Sequence, residues 1–185
     1  MFDRDRFIAE CCEAAAADPT HTSVREVVAR AVREPASVLR GLGEPTRAGV
    51  ELLYRSPQIC IFNLVWAPLM SVFPHNHTMW AVIGIYSGRE DNIFWRRTSV
   101  ADERQIEAAG ARSLCAGDAE PLGPDVIHSV LNPIDRLTAA IHVYGGDFVA
   151  AERSEWDAET LREGPYDFET ARRKFEAANA ALAAR

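Results

Sequence analysis

Apolar positions along this chain change their period twice. Residues 3–17 are alanine-rich and read as a helix. Over 23–34, Val24, Val27, Val28, Ala31 and Val32 recur at helical spacing, and Thr20, Thr22 and Ser23 offer capping groups ahead of them. PASVLRGL at 35–42 predicts one more short helix. From about 46 to 148 the period shortens, and β-rich runs alternate with Gly, Pro and Asp: GVELLYRS, ICIFNLVWA, MWAVIGIYSG, NIFWRRTSV, IEAAGARSLCAG, VIHSVLN and LTAAIHVYGG. Short strands at this spacing predict an all-β barrel or sandwich. The tail DFETARRKFEAANAALAAR returns to helix, with Asp167 as a cap and Ala171, Phe175, Ala178 and Ala181 as a modest stripe. The predicted organisation is one domain: N-terminal helices over 1–45, a β-barrel over 46–148, and a helical extension over 149–185.

Composition narrows the functional classes. The chain has 185 residues, 48% hydrophobic and 25% charged, which suits one globular core. Its formal charge of −7 argues against general nucleic-acid binding, which needs a basic surface. No apolar run reaches the roughly 18 residues that span a membrane. The start MFDRDRFIAECCEAAAA carries acids and a Cys pair where a signal peptide needs a basic start and an apolar core, so a cytoplasmic location is expected. Cys11 and Cys12 are adjacent, Cys60 and Cys115 stand apart, and there is no CxxC, so the thiols read as reduced. The terminal helices could cover barrel edges or pair with a second copy, which leaves monomer and homodimer open.

Candidate chemistry gathers on the histidines. In FPHNHTMW, His75 and His77 stand two apart, and on a strand their side chains point the same way. Imidazole is the commonest neutral metal ligand, so HxH in a β-rich segment is a candidate pair. His128, in GPDVIHSVLNP, is a third candidate on an apolar strand. His142 lies in LTAAIHVYGG, where Leu137, Ala139, Ile141 and Val143 take one face and Thr138, Ala140, His142 and Tyr144 the other. In an open sheet that second face is the wet side; in a small barrel it is the lumen. His21 sits in a capping region and is given no role.

On these residues the chain resembles the cupins. Their first motif runs from a Gly through HxH and a Glu to a closing Gly, and His75, His77 and Gly88 fit it. The opening Gly is missing from the region around Met70. The second motif fits Gly117, His128 and Asn132, with its internal Pro-x-Gly displaced to Pro121 and Gly123. The family's glutamate ligand falls at Ala81 or Val82, neither of which binds metal, and Glu90 lies too far along. A three-His set without carboxylate resembles the cysteine dioxygenase group of thiol dioxygenases. That group carries Ser-x-His-x-Tyr on a lumen strand, matched here by His142 and Tyr144 with Ala140 in place of Ser. Trp66 stands at the family's spacing ahead of the first ligand. The crosslinking cysteine of animal members falls near Val82, so no such crosslink forms.

The resemblance implies a double-stranded β-helix (jelly-roll) barrel that binds iron(II) through His75, His77 and His128. It implies oxidation of a small thiol carboxylate, of cysteine or 3-mercaptopropionate type, with O₂. His142 and Tyr144 would form a relay at the reacting atoms, and Arg55 would grip the substrate carboxylate as a planar fork. Arg55 also reads as a surface salt-bridge residue, and Trp80 either packs in the core or walls the pocket. Two rival readings stay open: another three-His metal cupin enzyme, such as a diketone-cleaving dioxygenase or an isomerase, and a non-catalytic cupin that binds metal or ligand. Zinc or nickel in the site would favour the rivals, although zinc sits above iron in the affinity order and can displace it.

Overall fold

The computed structural model describes residues 1–98 and 105–184. Three helices open the chain: α1 (Arg4–Ala17), α2 (Thr22–Val32) and α3 (Pro35–Leu42). Eleven strands follow: β1 (Gly49–Arg55), β2 (Cys60–Trp66), β3 (Ser71–Asn76), β4 (Ala81–Ser87), β5 (Arg89–Arg97), β6 (Ile106–Cys115), β7 (Ala119–Leu122), β8 (Ile127–Leu131), β9 (Thr138–Tyr144), β10 (Ser154–Trp156) and β11 (Glu163–Pro165). Helix α4 (Phe168–Ala183) ends the described chain. The strands form a five-stranded sheet, β1-β2-β9-β4-β7, and a six-stranded sheet, β11-β10-β3-β8-β5-β6. All named pairings are antiparallel, and the two sheets face one another as a jelly-roll barrel.

The terminal segments account for two features of the core. Val24, Val27, Val28, Val32 and Val38 of the helices pack on the outer face of the five-stranded sheet, against Ile61, Val65, Val82, Ile141 and Val143. Strands β2 and β9 are therefore buried on both faces, which is why they read as near-continuous apolar runs. Their other face, with Phe62, Leu64, Trp66, Ala140 and Tyr144, forms a second core cluster inside the barrel. Helix α4 lies across the barrel opening. It stacks Phe175 on Trp66 at 5.4 Å, and Asn179 bonds both the N–H and the carbonyl of Ala48.

The strand period ends later than the sequence predicts. Residues 149–185 are not wholly helical: β10 and β11 extend the six-stranded sheet before α4 begins. Both are three residues long, too short to show a period. Strand β7 also escapes the sequence reading, since AEPL contains a proline and only four residues. The end of the predicted run NIFWRRTSV, Ser99 and Val100, lies outside the described residues.

Candidate metal centre

Three histidines meet inside the barrel. His75 is on β3 and His128 directly opposite on β8, as Cα partners of an antiparallel pair, so their side chains emerge side by side on one face. Pro74 cannot donate to a ladder, and the β3–β8 register shifts between Val72 and His75 to accommodate it. His77 follows one residue beyond β3, where Thr78 turns the chain with φ 59°. All three are buried, at 8%, 1% and 1% exposure for His75, His77 and His128.

The ring nitrogens converge. Nε2 of His77 is 3.3 Å from Nε2 of His75 and 3.1 Å from Nε2 of His128. The outer nitrogens show which tautomers are present. Nδ1–H of His75 donates to the Phe73 carbonyl at 3.0 Å, and Nδ1–H of His128 donates to Oδ1 of Asn92 at 2.6 Å. Their Nε2 atoms are then bare lone pairs aimed at one point. A first-row divalent ion with imidazole bonds of about 2.0–2.1 Å spaces its ligand nitrogens about 2.9–3.4 Å apart. The donor set therefore fits such an ion, and His75, His77 and His128 would hold it. The outer hydrogen bonds that orient two of the rings are the kind that metal-ligating histidines make.

Burial keeps these rings in the neutral, ligating form. It lowers His75 from 6.5 to about 4 and pushes His77 and His128 well below their usual value. An unfolded chain takes up these protons from about pH 6.5 downward, whereas the folded chain resists. The metal-free protein is therefore stabilised above pH 6.5 and loses that stability as pH falls toward 4. His75 alone accounts for about 3 kcal/mol. Urea unfolding of metal-free protein is expected to show a midpoint that drops steeply between pH 6.5 and 4.5, and His75→Gln to flatten that slope.

Beside this cluster lies a cavity of about 450 Å³. His75, His128, His142 and Tyr144 line it, together with Phe62, Leu64, Trp66 and Phe148. Helix α4 supplies Phe168, Ala171, Arg172 and Phe175 to the wall. His142 and Tyr144 stand on the lumen face of β9, with Nδ1 of His142 3.1 Å from the Tyr144 hydroxyl. The Tyr144 ring lies 5.0 Å from His77, and burial pushes its hydroxyl pKa up. The structure thus brings together five of the seven residues singled out in the sequence.

Arg55 and Trp80 are the corrections. Arg55 is exposed at the end of β1, and its Nε and Nη2 both bind Asp147 at 2.9 Å. It does not line the cavity, because its fork is already filled on the outside of the barrel. Trp80 packs with the helix-side cluster, not the lumen. Its Nε1–H donates to the Pro19 carbonyl at 3.1 Å, and its ring lies on Gly145, where any Cβ would come within 2.0 Å of it.

Two buried charges were not anticipated. Glu90, fully buried, accepts from Nε1–H of Trp66 at 2.7 Å and from Nδ2–H of Asn92 at 3.0 Å. Burial alone would raise its carboxyl pKa; the nearby His142 ring and the donors Asn92 and Trp66 outweigh that and hold it low. The signal was available, since Glu90, Asn92 and Phe94 alternate on one face of β5. Arg153, at 7% exposure, lies 3.8 Å from the Phe148 ring centroid and 4.1 Å from that of Tyr166. Nη1–H donates to the Phe148 carbonyl at 2.5 Å, while Nε and Nη2 are buried without a hydrogen-bond partner. Nothing in ERSEW distinguishes this arginine from a surface one.

No protein-family model matches the chain. Among similar solved structures is an RmlC-like cupin family protein with a double-stranded β-helix fold from Methanocaldococcus jannaschii. It is 12% identical, with 58% of this chain and 87% of that chain covered and a TM-score of 0.48. Another is a Cupin 2 conserved barrel domain protein from Salinispora arenicola, 22% identical over 62% of this chain and 79% of that chain, with a TM-score of 0.41. A cupin superfamily protein from Desulfitobacterium hafniense is 14% identical over 57% and 83%, with a TM-score of 0.42. No helix of the described residues is long and apolar enough to cross a membrane.

Proposed function

We propose that this protein is a non-haem iron(II) dioxygenase that converts a small thiol carboxylate to its sulfinate, RSH + O₂ → RSO₂H. The observation that carries this reading is the donor set: three neutral imidazoles converge in a closed barrel, and no carboxylate joins their group among the described residues. When bound there, iron(II) supplies the redox chemistry that adds both oxygen atoms to sulfur. An uncharged ligand set leaves the site positive, which favours a thiolate. Tyr144 sits against His77 and takes its orientation from His142, so its phenol oxygen stands at the cavity wall beside the three imidazoles.

The group assigned to the substrate's tail is Arg153, which lies just behind the cavity wall rather than on it. Its Nε and Nη2 are buried and have no hydrogen-bond partner, so it has N–H groups to offer. Phe148 and Tyr166 bracket it, and both line the cavity. Among the described residues the carboxylates of the cavity wall, Glu169 and Glu176, come from α4, and Glu90, which faces His142, is already engaged by Trp66 and Asn92, so no free acid awaits a substrate amine. The expected order is therefore 3-mercaptopropionate ahead of cysteine. Cysteamine, which lacks a carboxylate, comes last.

One observation favours a second reading. A cavity of about 450 Å³ with mostly aromatic and aliphatic walls exceeds what a three-carbon thiol fills. It would suit another three-His dioxygenase acting on a larger apolar molecule, such as a diketone. O₂ consumption by anaerobically purified, iron-loaded protein decides between them, with cysteine, 3-mercaptopropionate and cysteamine offered separately. Rapid uptake with 3-mercaptopropionate and a sulfinate product is the expected result. No uptake with any thiol, despite bound iron, would remove the thiol dioxygenase reading and turn attention to the larger apolar substrates.

A further inference from the structure

Nε2 of His142 is buried and has no hydrogen-bond partner, in a ring whose other nitrogen engages Tyr144. An orphaned buried nitrogen is costly unless something nearby answers it. Its own strand offers nothing: the neighbouring lumen position on β9 is Ala140, which carries no hydrogen-bonding group. What faces it is the Glu90 carboxylate, with Oε2 3.6 Å away, just beyond hydrogen-bond distance.

Glu90 is built into this position. Its Oε1 takes the Asn92 amide and its Oε2 takes the Trp66 indole, so the carboxylate plane is fixed by two donors from different strands. A carboxylate has about four acceptor sites, so capacity remains for a third donor. The backbone turn that delivers it is equally constrained. Gly88 has φ 79°, and a Cβ there would meet Thr138 Oγ1 at 2.3 Å, at the start of the strand that carries His142.

We propose that Glu90 is the positioning residue of the site: its carboxylate holds a proton on Nε2 of His142, so that Nδ1 is left as the acceptor of the Tyr144 hydroxyl. The consequence is directional. Tyr144 O–H then donates to His142, and the phenol oxygen turns its lone pairs toward the cavity. Without an anion behind Nε2 the two tautomers would be close in energy, and the hydroxyl would point either way. Through Asn92, whose Oδ1 accepts from His128, the same carboxylate also sets the orientation of one imidazole of the candidate metal centre. Only the catalytic consequence rests on the thiol dioxygenase reading; the proton assignment does not.

The test starts on metal-free protein with ¹⁵N-labelled histidine. The chain has five histidines, so His142→Asn identifies the His142 signals by their loss. Proton–nitrogen correlation spectra are expected to show Nε2 protonated, Nδ1 as a hydrogen-bond acceptor, and a slowly exchanging Nε2 proton shifted downfield. A proton on Nδ1 of His142 in the wild-type protein would overturn the proposal without any variant. In Glu90→Gln a single oxygen must serve three donors, so the Nε2 proton is expected to move upfield and exchange at least tenfold faster; an unchanged signal would also overturn it. In iron-loaded Glu90→Gln, kcat for the best thiol is expected to fall about 10–100-fold, with KM and iron content little altered. If the wild-type protein oxidises no thiol, the spectra still judge Glu90. If it is active while the proton lies on Nδ1, the reaction stands and the role given to Glu90 falls.

Discussion

His128→Ala is expected to lose stoichiometric metal. The variant removes one of three imidazoles whose Nε2 atoms converge, and no fourth protein ligand stands by to take its place among the described residues. Structural zinc sites bind with roughly 10–16 kcal/mol spread over four ligands, so one ligand is worth about 3 kcal/mol, or more than a hundredfold in affinity. The fold should persist, because the lost ring is neutral and its outward partner is one amide oxygen, that of Asn92. Calorimetric titration with iron(II) or zinc(II), alongside metal content after dialysis, measures the effect. A variant that keeps one metal per chain with wild-type affinity would dismiss the three-His centre.

Arg153→Gln is expected to raise KM for 3-mercaptopropionate by about 10–100-fold while leaving cysteamine turnover within about threefold. A hydrogen bond to a charged group contributes about 1.5–3 kcal/mol, which sets this range. The contrast between substrates matters more than the size of either change. Arg153 also stacks on Phe148, Tyr166 and Phe168, so a merely structural loss would depress both thiols alike. Equal losses would take Arg153 out of substrate binding. Arg153→Lys should rescue only in part, since an ammonium keeps the charge but not the planar fork.

The histidines were legible because their signal is local. His75 and His77 need only a strand end, and His128 and His142 announce themselves on apolar runs with a period of two. The lumen face of β9 could be read in the same way, since its alternate residues divide between the two core clusters. Arginine was harder. Arg55 and Arg153 look alike in sequence, and what separates them is non-local: Asp147 captures one outside the barrel, whereas the other, just ahead of β10, is buried against the rings of Phe148 and Tyr166. Trp80 shows the same limit. Three residues past His77 it suggests the pocket, but only the fold reveals that α1–α3 cover the opposite face of β4 and claim the ring.

Helix α4 contributes no fully buried residue, yet it provides much of the cavity wall through Phe168, Ala171, Arg172 and Phe175. The residues that hold the sheets together and those that shape the outer half of the chamber are therefore encoded in separate stretches of the chain. Ala171 and Phe175 pack on the barrel core, but substitutions at the exposed wall positions Phe168 and Arg172 can redraw the chamber at little cost to folding, since surface positions usually change stability by less than about 0.5 kcal/mol. The barrel fixes where the three imidazoles meet, and the last helix is where a lineage, or an engineer, could revise what the chamber admits.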